Sequence, residues 1–165
     1  MIKTLLVSNN KSQIEKFQLI FNKNSYDFSI MTDETLIYDY ISAETPDIII
    51  IDEEYKNIKT LNKKIKSLCE NTIIIFLLSD NKVDKELIKY ANAFFTNDMS
   101  EDLILSTLNI NLRMKSSLDM LSNSNKDLAD SLYRLNALYS TSSQFAGTLD
   151  KSRLIQYMVE GMDTA

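Results

Sequence analysis

Two apolar runs of the chain end in polar side chains that can bind or react. Asp52 and the two glutamates after it follow the run Ile48–Ile51, and Ser79 follows the run Ile73–Leu78. In an open parallel α/β sheet, functional residues lie at the carboxyl ends of the strands. A carboxylate at such an end can help to hold a hard ion such as Mg²⁺. Whether these polar residues lie close together depends on the strands and helices that the sequence forms.

Short apolar runs alternate with segments of helical spacing over the first 99 residues. Runs that are largely β-branched and bounded by polar residues suit strands buried on both faces of a parallel sheet. The intervening segments have the apolar spacing of amphipathic helices. Repeated βα units predict a doubly wound, five-stranded parallel α/β sheet of the flavodoxin-like type over residues 1–110. The predicted strands contain Leu5–Val7, Phe28–Met31, Ile48–Ile51, Ile73–Leu78 and Ala93–Phe95.

Composition excludes several classes of protein. The chain has no His and a single Cys69, which rules out a His-dependent triad, a Cys/His zinc site and an internal disulfide. A net charge of −5 argues against a nucleic-acid surface, which needs clustered Lys and Arg. No apolar run has the roughly 18 residues of a membrane span, and the first residues do not resemble a signal peptide. We therefore expect a cytoplasmic protein without nucleic-acid or membrane partners.

The alternation stops at Ser100, after which the sequence predicts helix. Strict a/d heptads over several turns are typical of a coiled coil, and a lone Asn at position a favours a parallel dimer in one register. We expect residues 111–146 to pair in this way in a homodimer, although a helix packed on its own domain remains open. The seam consists of Met114, Leu118, Leu121, Asn125, Leu128, Leu132, Leu135 and Tyr139. The polar stretch around Asn125 weakens the helix locally and allows a break there.

The segment Pro46–Asp52 resembles the third strand of the response-regulator receiver (CheY-like) family. The resemblance implies that Asp52 stands at the position of the phosphoryl acceptor. Leu77-Leu78-Ser79 is similar to the family's fourth strand, and it implies that Ser79 supplies the hydroxyl that binds a phosphoryl oxygen. The order and spacing of elements agree with the family over about two-thirds of the chain.

Two other strand ends depart from the family pattern. Ser8 and Asn9 occupy the positions of the acidic pair that holds Mg²⁺, and neutral oxygens attract this ion far less than carboxylates do. Asn97 stands in place of the family's lysine, and Asp98 in place of the proline after it. Losing metal ligands and cation together removes most of the assistance to phosphoryl transfer. We expect a pseudo-receiver with no metal site.

Residues 138–158 resemble the first helix, the Thr-Leu-Asp turn and the second helix of many GAF sensory domains. The resemblance implies that residues 147–165 begin a truncated GAF-like domain, with a turn at Thr148–Asp150. Its second helix would carry an exposed apolar stripe that needs a partner. The stripe consists of Leu154, Ile155, Met158, Val159 and Met162.

Three functions follow from these observations. The first is a non-enzymatic regulatory and dimerisation module, without a cofactor, which relays a signal along paired helices to a downstream domain and can bind another signalling protein. The second is an atypical phospho-receiver that uses Asp52, in which case Mg²⁺ is a cofactor. The third is a flavodoxin-like cofactor binder, which the Gly-free segment after the first strand disfavours. A simpler reading makes Asp52 a solvated strand-end carboxylate that caps the following turn, or part of the acidic start of a helix.

Overall fold

The computed structural model describes residues 1–69, 71–79 and 83–163, and it divides at Ser116 into two compact units. The strands lie in one parallel sheet in the order β2-β1-β3-β4-β5. This arrangement, flanked by helices, confirms the predicted fold class. The strands are β1 (Lys3–Val7), β2 (Asp27–Met31), β3 (Ile48–Asp52), β4 (Ile73–Leu78) and β5 (Ala93–Thr96). The helices are α1 (Lys11–Lys23), α2 (Glu34–Glu44), α3 (Ile58–Leu68), α4 (Lys85–Ile88) and α5 (Glu101–Asp163).

The burial of the two central strands accounts for their continuous apolar runs in the sequence. Every residue of β3 and β4 is buried, because helices cover both faces of the sheet. Register then fixes the ends of the strands. Val7 pairs with Ile51, so that the next residues along β1 and β3, Ser8 and Asp52, come side by side. Asp52 in turn pairs with Leu77 of β4, two residues before Ser79.

Two apolar clusters pack on opposite faces of this sheet. On one face α1 and the first turns of α5 supply Phe17, Phe21, Ile104 and Leu108, all at most 3% exposed. On the other face α2, α3 and α4 cover alternate residues of the same strands. Cys69 belongs to this second cluster, so it is a small buried apolar side chain. Burial of each large apolar side chain contributes about 1.5–3 kcal/mol, so both clusters stabilise the first unit.

The first turns of α5 are tied to the sheet by charge as well as by packing. The Lys115 ammonium lies 3.1 Å from Asp47 Oδ1, beside the start of β3. Asp47 also accepts a hydrogen bond from the Lys3 amide through Oδ2. The two oxygens of the Asp47 carboxylate therefore join α5, β1 and the start of β3 within the first unit.

The second unit begins at Ser117 and consists of the remainder of α5. The helix continues without a break through the polar stretch around Asn125. The predicted turn at Thr148–Asp150 is wrong, because α5 runs through these residues to Asp163. Gly147 destabilises the helix by only about 1 kcal/mol. The segment has no proline, so no residue in it forces the helix to end. The side chains of Thr148, Leu149 and Met162 lie outside the described residues.

Four side chains of the predicted stripe, Leu154, Ile155, Met158 and Val159, are each more than half exposed. The predicted boundaries at residues 110 and 146 fall inside α5 and stay predictions. Within the described ranges, no helix has both the length and the apolar character that a bilayer crossing needs.

Candidate functional site

The ends of β1 and β3 are joined by a hydrogen bond between buried side chains. The Ser8 hydroxyl donates to Asp52 Oδ2 over 2.7 Å. Ser8 is fully buried and Asp52 is 4% exposed. A hydrogen bond from the hydroxyl replaces part of the hydration that a carboxylate loses on burial, so Ser8 partly offsets the cost of burying Asp52. The structure thus brings together two of the residues that the sequence singled out.

The second oxygen of Asp52 fixes the loop that follows β3. Asp52 Oδ1 accepts a hydrogen bond from the Glu54 amide over 3.2 Å, and the Asp52 carbonyl accepts one from the Tyr55 amide over 3.0 Å. The carboxylate therefore caps the next turn, as the simpler reading of the sequence expected, but it is buried, whereas that reading expected it to be solvated. The acidic residues after it do not begin a helix, since α3 starts only at Ile58.

A pocket of about 270 Å³ opens beside Asp52. Its lining combines amide, carboxylate and phenol groups from the ends of β1 and β3, namely Asn9, Asn10, Asp52, Glu54 and Tyr55. Burial, followed by the charges of Glu34 and Asp33, raises the pKa of the Tyr55 phenol. Asn10 is not available as a ligand, because its side-chain oxygen caps α1 by accepting the amides of Ser12 and Gln13.

The oxygen groups around Asp52 do not fit Mg²⁺. This ion is usually held by one or two carboxylates with well-defined octahedral geometry. Here the Ser8 hydroxyl points its proton at Asp52, and its oxygen already accepts the Asn10 amide over 3.0 Å. Each oxygen of Asp52 already accepts one neutral donor, and Ser8 contributes a neutral oxygen where the receiver pattern has a carboxylate.

Ser79 is bound by the loop after β3. Its amide donates to Glu53 Oε1, and its hydroxyl donates to Glu54 Oε1 over 3.1 Å. Among the described residues, no hydrogen bond joins Ser79 to Asp52. Ser79 therefore lies at the edge of the sheet that the sequence predicted. Its hydroxyl, however, bonds to Glu54 and not to a group at Asp52.

Asn97 is held by α1. Its side-chain oxygen accepts a hydrogen bond from Gln13 Nε2 over 2.8 Å, and its carbonyl accepts one from Lys16 Nζ over 3.0 Å. Lys16 also donates to the Met99 carbonyl over 2.9 Å, just before α5 begins. The ammonium group thus fastens the loop between β5 and α5. A hydrogen bond from the Thr96 hydroxyl lowers the pKa of the neighbouring Asp98 carboxyl.

Sequence reasoning missed the parts played by Gln13, Lys16 and Glu54. Gln13 and Asn97 are 84 positions apart, so no local pattern links them. The one available signal was a polar Gln13 at a buried position of an amphipathic helix, where it is 6% exposed. Glu54 was visible beside Asp52, but its bond to Ser79 depends on the packing of β3 against β4.

Comparisons with known proteins identify the fold. No protein-family model and no curated protein sequence matches the chain. A solved structure with a TM-score of 0.62 is the N-terminal domain of a response regulator/sensory box/GGDEF three-domain protein from Carboxydothermus hydrogenoformans. It is 20% identical, and the match covers 70% of this chain and 97% of that one.

Two further solved structures have the same architecture. A CheY-like response-regulator receiver domain from Methanospirillum hungatei JF-1 has a TM-score of 0.63 at 14% identity, covering 71% of this chain and 98% of that one. A fusion that contains the trimeric coiled coil of yeast Spc42 has a TM-score of 0.62 at 18% identity, covering 79% and 96%. At these identities the likeness concerns the fold. The α/β unit of this chain is similar in fold to response-regulator receiver domains.

Proposed function

We propose that the chain is a regulatory and dimerisation module of a cytoplasmic signalling protein. Its receiver-like unit does not use Mg²⁺-dependent phosphorylation, and α5 pairs in parallel with the same helix of a second copy. The pair relays a change to a downstream sensory or output domain, and the unit binds another signalling protein. The module itself is not an enzyme and does not bind nucleic acid. The proposal that the unit does not use Mg²⁺-dependent phosphorylation rests on the 2.7 Å hydrogen bond between Ser8 and Asp52.

Charge explains why this bond argues against ordinary phosphorylation. Transfer of a phosphoryl group to a carboxylate brings anionic oxygens together, and catalysis consists of positioning and cationic stabilisation. Asp52 has a neutral hydroxyl and a backbone amide as partners. The Lys16 ammonium donates to carbonyls of the β5–α5 loop, and Asn97 contributes a neutral amide. The site thus offers an incoming phosphoryl group little compensation for its charge.

Exposure supports the dimerisation part. The seven apolar side chains of the seam are each between 55% and 74% exposed. A helix gains most of its stability in water from packing an apolar face, so a second copy is the simplest partner for a heptad seam. Asn125 at position a favours a parallel pair in one register. The likeness to a coiled-coil fusion agrees with oligomerisation.

A phosphodonor experiment tests the first part. We expect the intact mass of the wild-type chain to stay unchanged after incubation with a small phosphodonor and Mg²⁺. The matched variant Ser8→Asp, Asn9→Asp, Asn97→Lys restores the receiver pattern and should gain one phosphoryl group, which a further Asp52→Asn change removes. Phosphorylation of the wild-type chain at Asp52 would instead favour the second candidate function, an atypical phospho-receiver, which the pocket beside Asp52 keeps open.

Sedimentation equilibrium tests the second part. The wild-type chain should have twice the chain mass of 19.0 kDa at micromolar concentration. Leu128→Asp with Leu132→Asp places charges in the seam and should give a monomer. Tyr133→Asp is the matched control, because Tyr133 is 78% exposed on the same helix but lies outside the a/d positions. A wild-type monomer at high micromolar concentration would refute the dimer.

A further inference from the structure

Ser79 is bound twice by neighbouring carboxylates. Its amide donates to Glu53 Oε1, and its hydroxyl donates to Glu54 Oε1. Both donors of one residue at the end of β4 are thus used by two consecutive residues after β3. Both contacts are charge-assisted hydrogen bonds at the solvent-exposed surface, and together they link the two loops.

The two glutamates are presented from a fixed backbone. The Glu53 amide donates to the Leu77 carbonyl over 3.0 Å, and the Glu54 amide donates to Asp52 Oδ1 over 3.2 Å. The Tyr55 amide is bonded to the Asp52 carbonyl. Because the loop is tied to β3 and β4 through its own amides, its backbone is already ordered when the carboxylates bind Ser79. Only the glutamate side chains lose conformational freedom on forming the contact.

We propose that Glu53 and Glu54 act as an autoinhibitory latch, which holds Ser79 on the β3–α3 loop and so keeps its hydroxyl from Asp52. This inference deepens the proposed function and rests on it. While the latch is closed, the Ser79 hydroxyl is bonded to Glu54 and is not available to bond at Asp52. Glu54 also lines the pocket beside Asp52, so the same side chain shapes the pocket and holds the end of β4.

Amide hydrogen exchange on the full chain tests the latch directly. Glu53→Ala with Glu54→Ala removes both acceptors, and we expect exchange at the Ser79 amide to become at least about tenfold faster through local opening. The Leu87 amide of α4, which bonds to the Asp84 carbonyl, should also exchange faster, since α4 follows the released end of β4. Exchange at Ile50, in the middle of β3, should not change.

Two further variants keep the test decisive. Glu15→Ala removes one exposed carboxylate from α1 and should leave exchange at Ser79 unchanged. Ser79→Ala keeps the amide bond to Glu53 and loses only the hydroxyl bond, so it should have an intermediate effect even if the double variant does not fold. Unchanged exchange at residue 79 in both latch variants would overturn the latch. The readout involves neither phosphodonor nor dimerisation, so failure of the latch is distinguishable from failure of the proposed function.

Discussion

The same kinds of side chain have opposite surroundings in the two units of the chain. The four isoleucines of β3 are fully buried, whereas Leu128 and Leu132 of α5 are 63% and 57% exposed. The first unit covers its apolar residues with its own helices, and the second has only a single helix. Apolar burial therefore stabilises the first unit within one chain, while the second unit needs a partner to gain the same stabilisation.

This difference has a thermodynamic signature. Stability that comes from packing within a chain does not depend on protein concentration, whereas stability that comes from association does. If α5 pairs as proposed, unfolding should separate into one transition that is independent of concentration and one that shifts with it.

The largest effect is expected in the core of the sheet. Ile50→Ala should lower the free energy of unfolding of the first unit by about 2–5 kcal/mol, because it removes buried methyl groups and leaves a cavity. Denaturant titration followed by circular dichroism should give this loss at low and at high protein concentration. Leu128→Ala is the matched variant in α5 and should leave that transition in place while weakening dimerisation. An equal loss of core stability in both variants would contradict the comparison.

A smaller effect is expected at the edge of the sheet. Ser8→Ala removes the hydroxyl that donates to the buried carboxylate of Asp52, and it should lower the free energy of unfolding by about 1.5–3 kcal/mol. Ser12→Ala is a suitable control, since Ser12 is exposed and contributes its backbone amide to the cap of α1. The sedimentation behaviour of both variants should equal that of the wild type. A stability equal to that of Ser12→Ala would mean that the Ser8 bond is unimportant.

Residue pattern predicted the fold but only part of the site. The apolar runs located the strands because a strand buried on both faces leaves a continuous signal, and Asp52 and Ser79 follow directly from where two runs end. The partners of Ser79 and Asn97 were out of reach, since those bonds join elements that are distant in sequence. The turn at Thr148–Asp150 was expected from a short resemblance, and no proline there stops α5 from continuing.

The smallest effect is expected at Tyr38, where the packed unit changes the chemistry of a side chain. Burial and a 2.7 Å hydrogen bond to Glu34 Oε1 raise the pKa of the Tyr38 phenol to about 12, from an ordinary value of 10.0. The raised pKa means that the folded state holds this proton more tightly than the unfolded state does. The associated stability is fully present below pH 10 and is lost as pH rises towards 12.

An absorbance titration of phenolate formation measures this shift directly. Tyr38→Phe should remove one tyrosine from the titration step near pH 12 and flatten the loss of stability between pH 10 and 12. Glu34→Gln should move the same step to lower pH, because it removes both the charge and the carboxylate acceptor next to the phenol. If the same number of tyrosines titrates near pH 12 in Tyr38→Phe as in the wild type, then packing of α2 does not control this group. The contrast between the packed unit and the exposed helix would then not extend to side-chain chemistry.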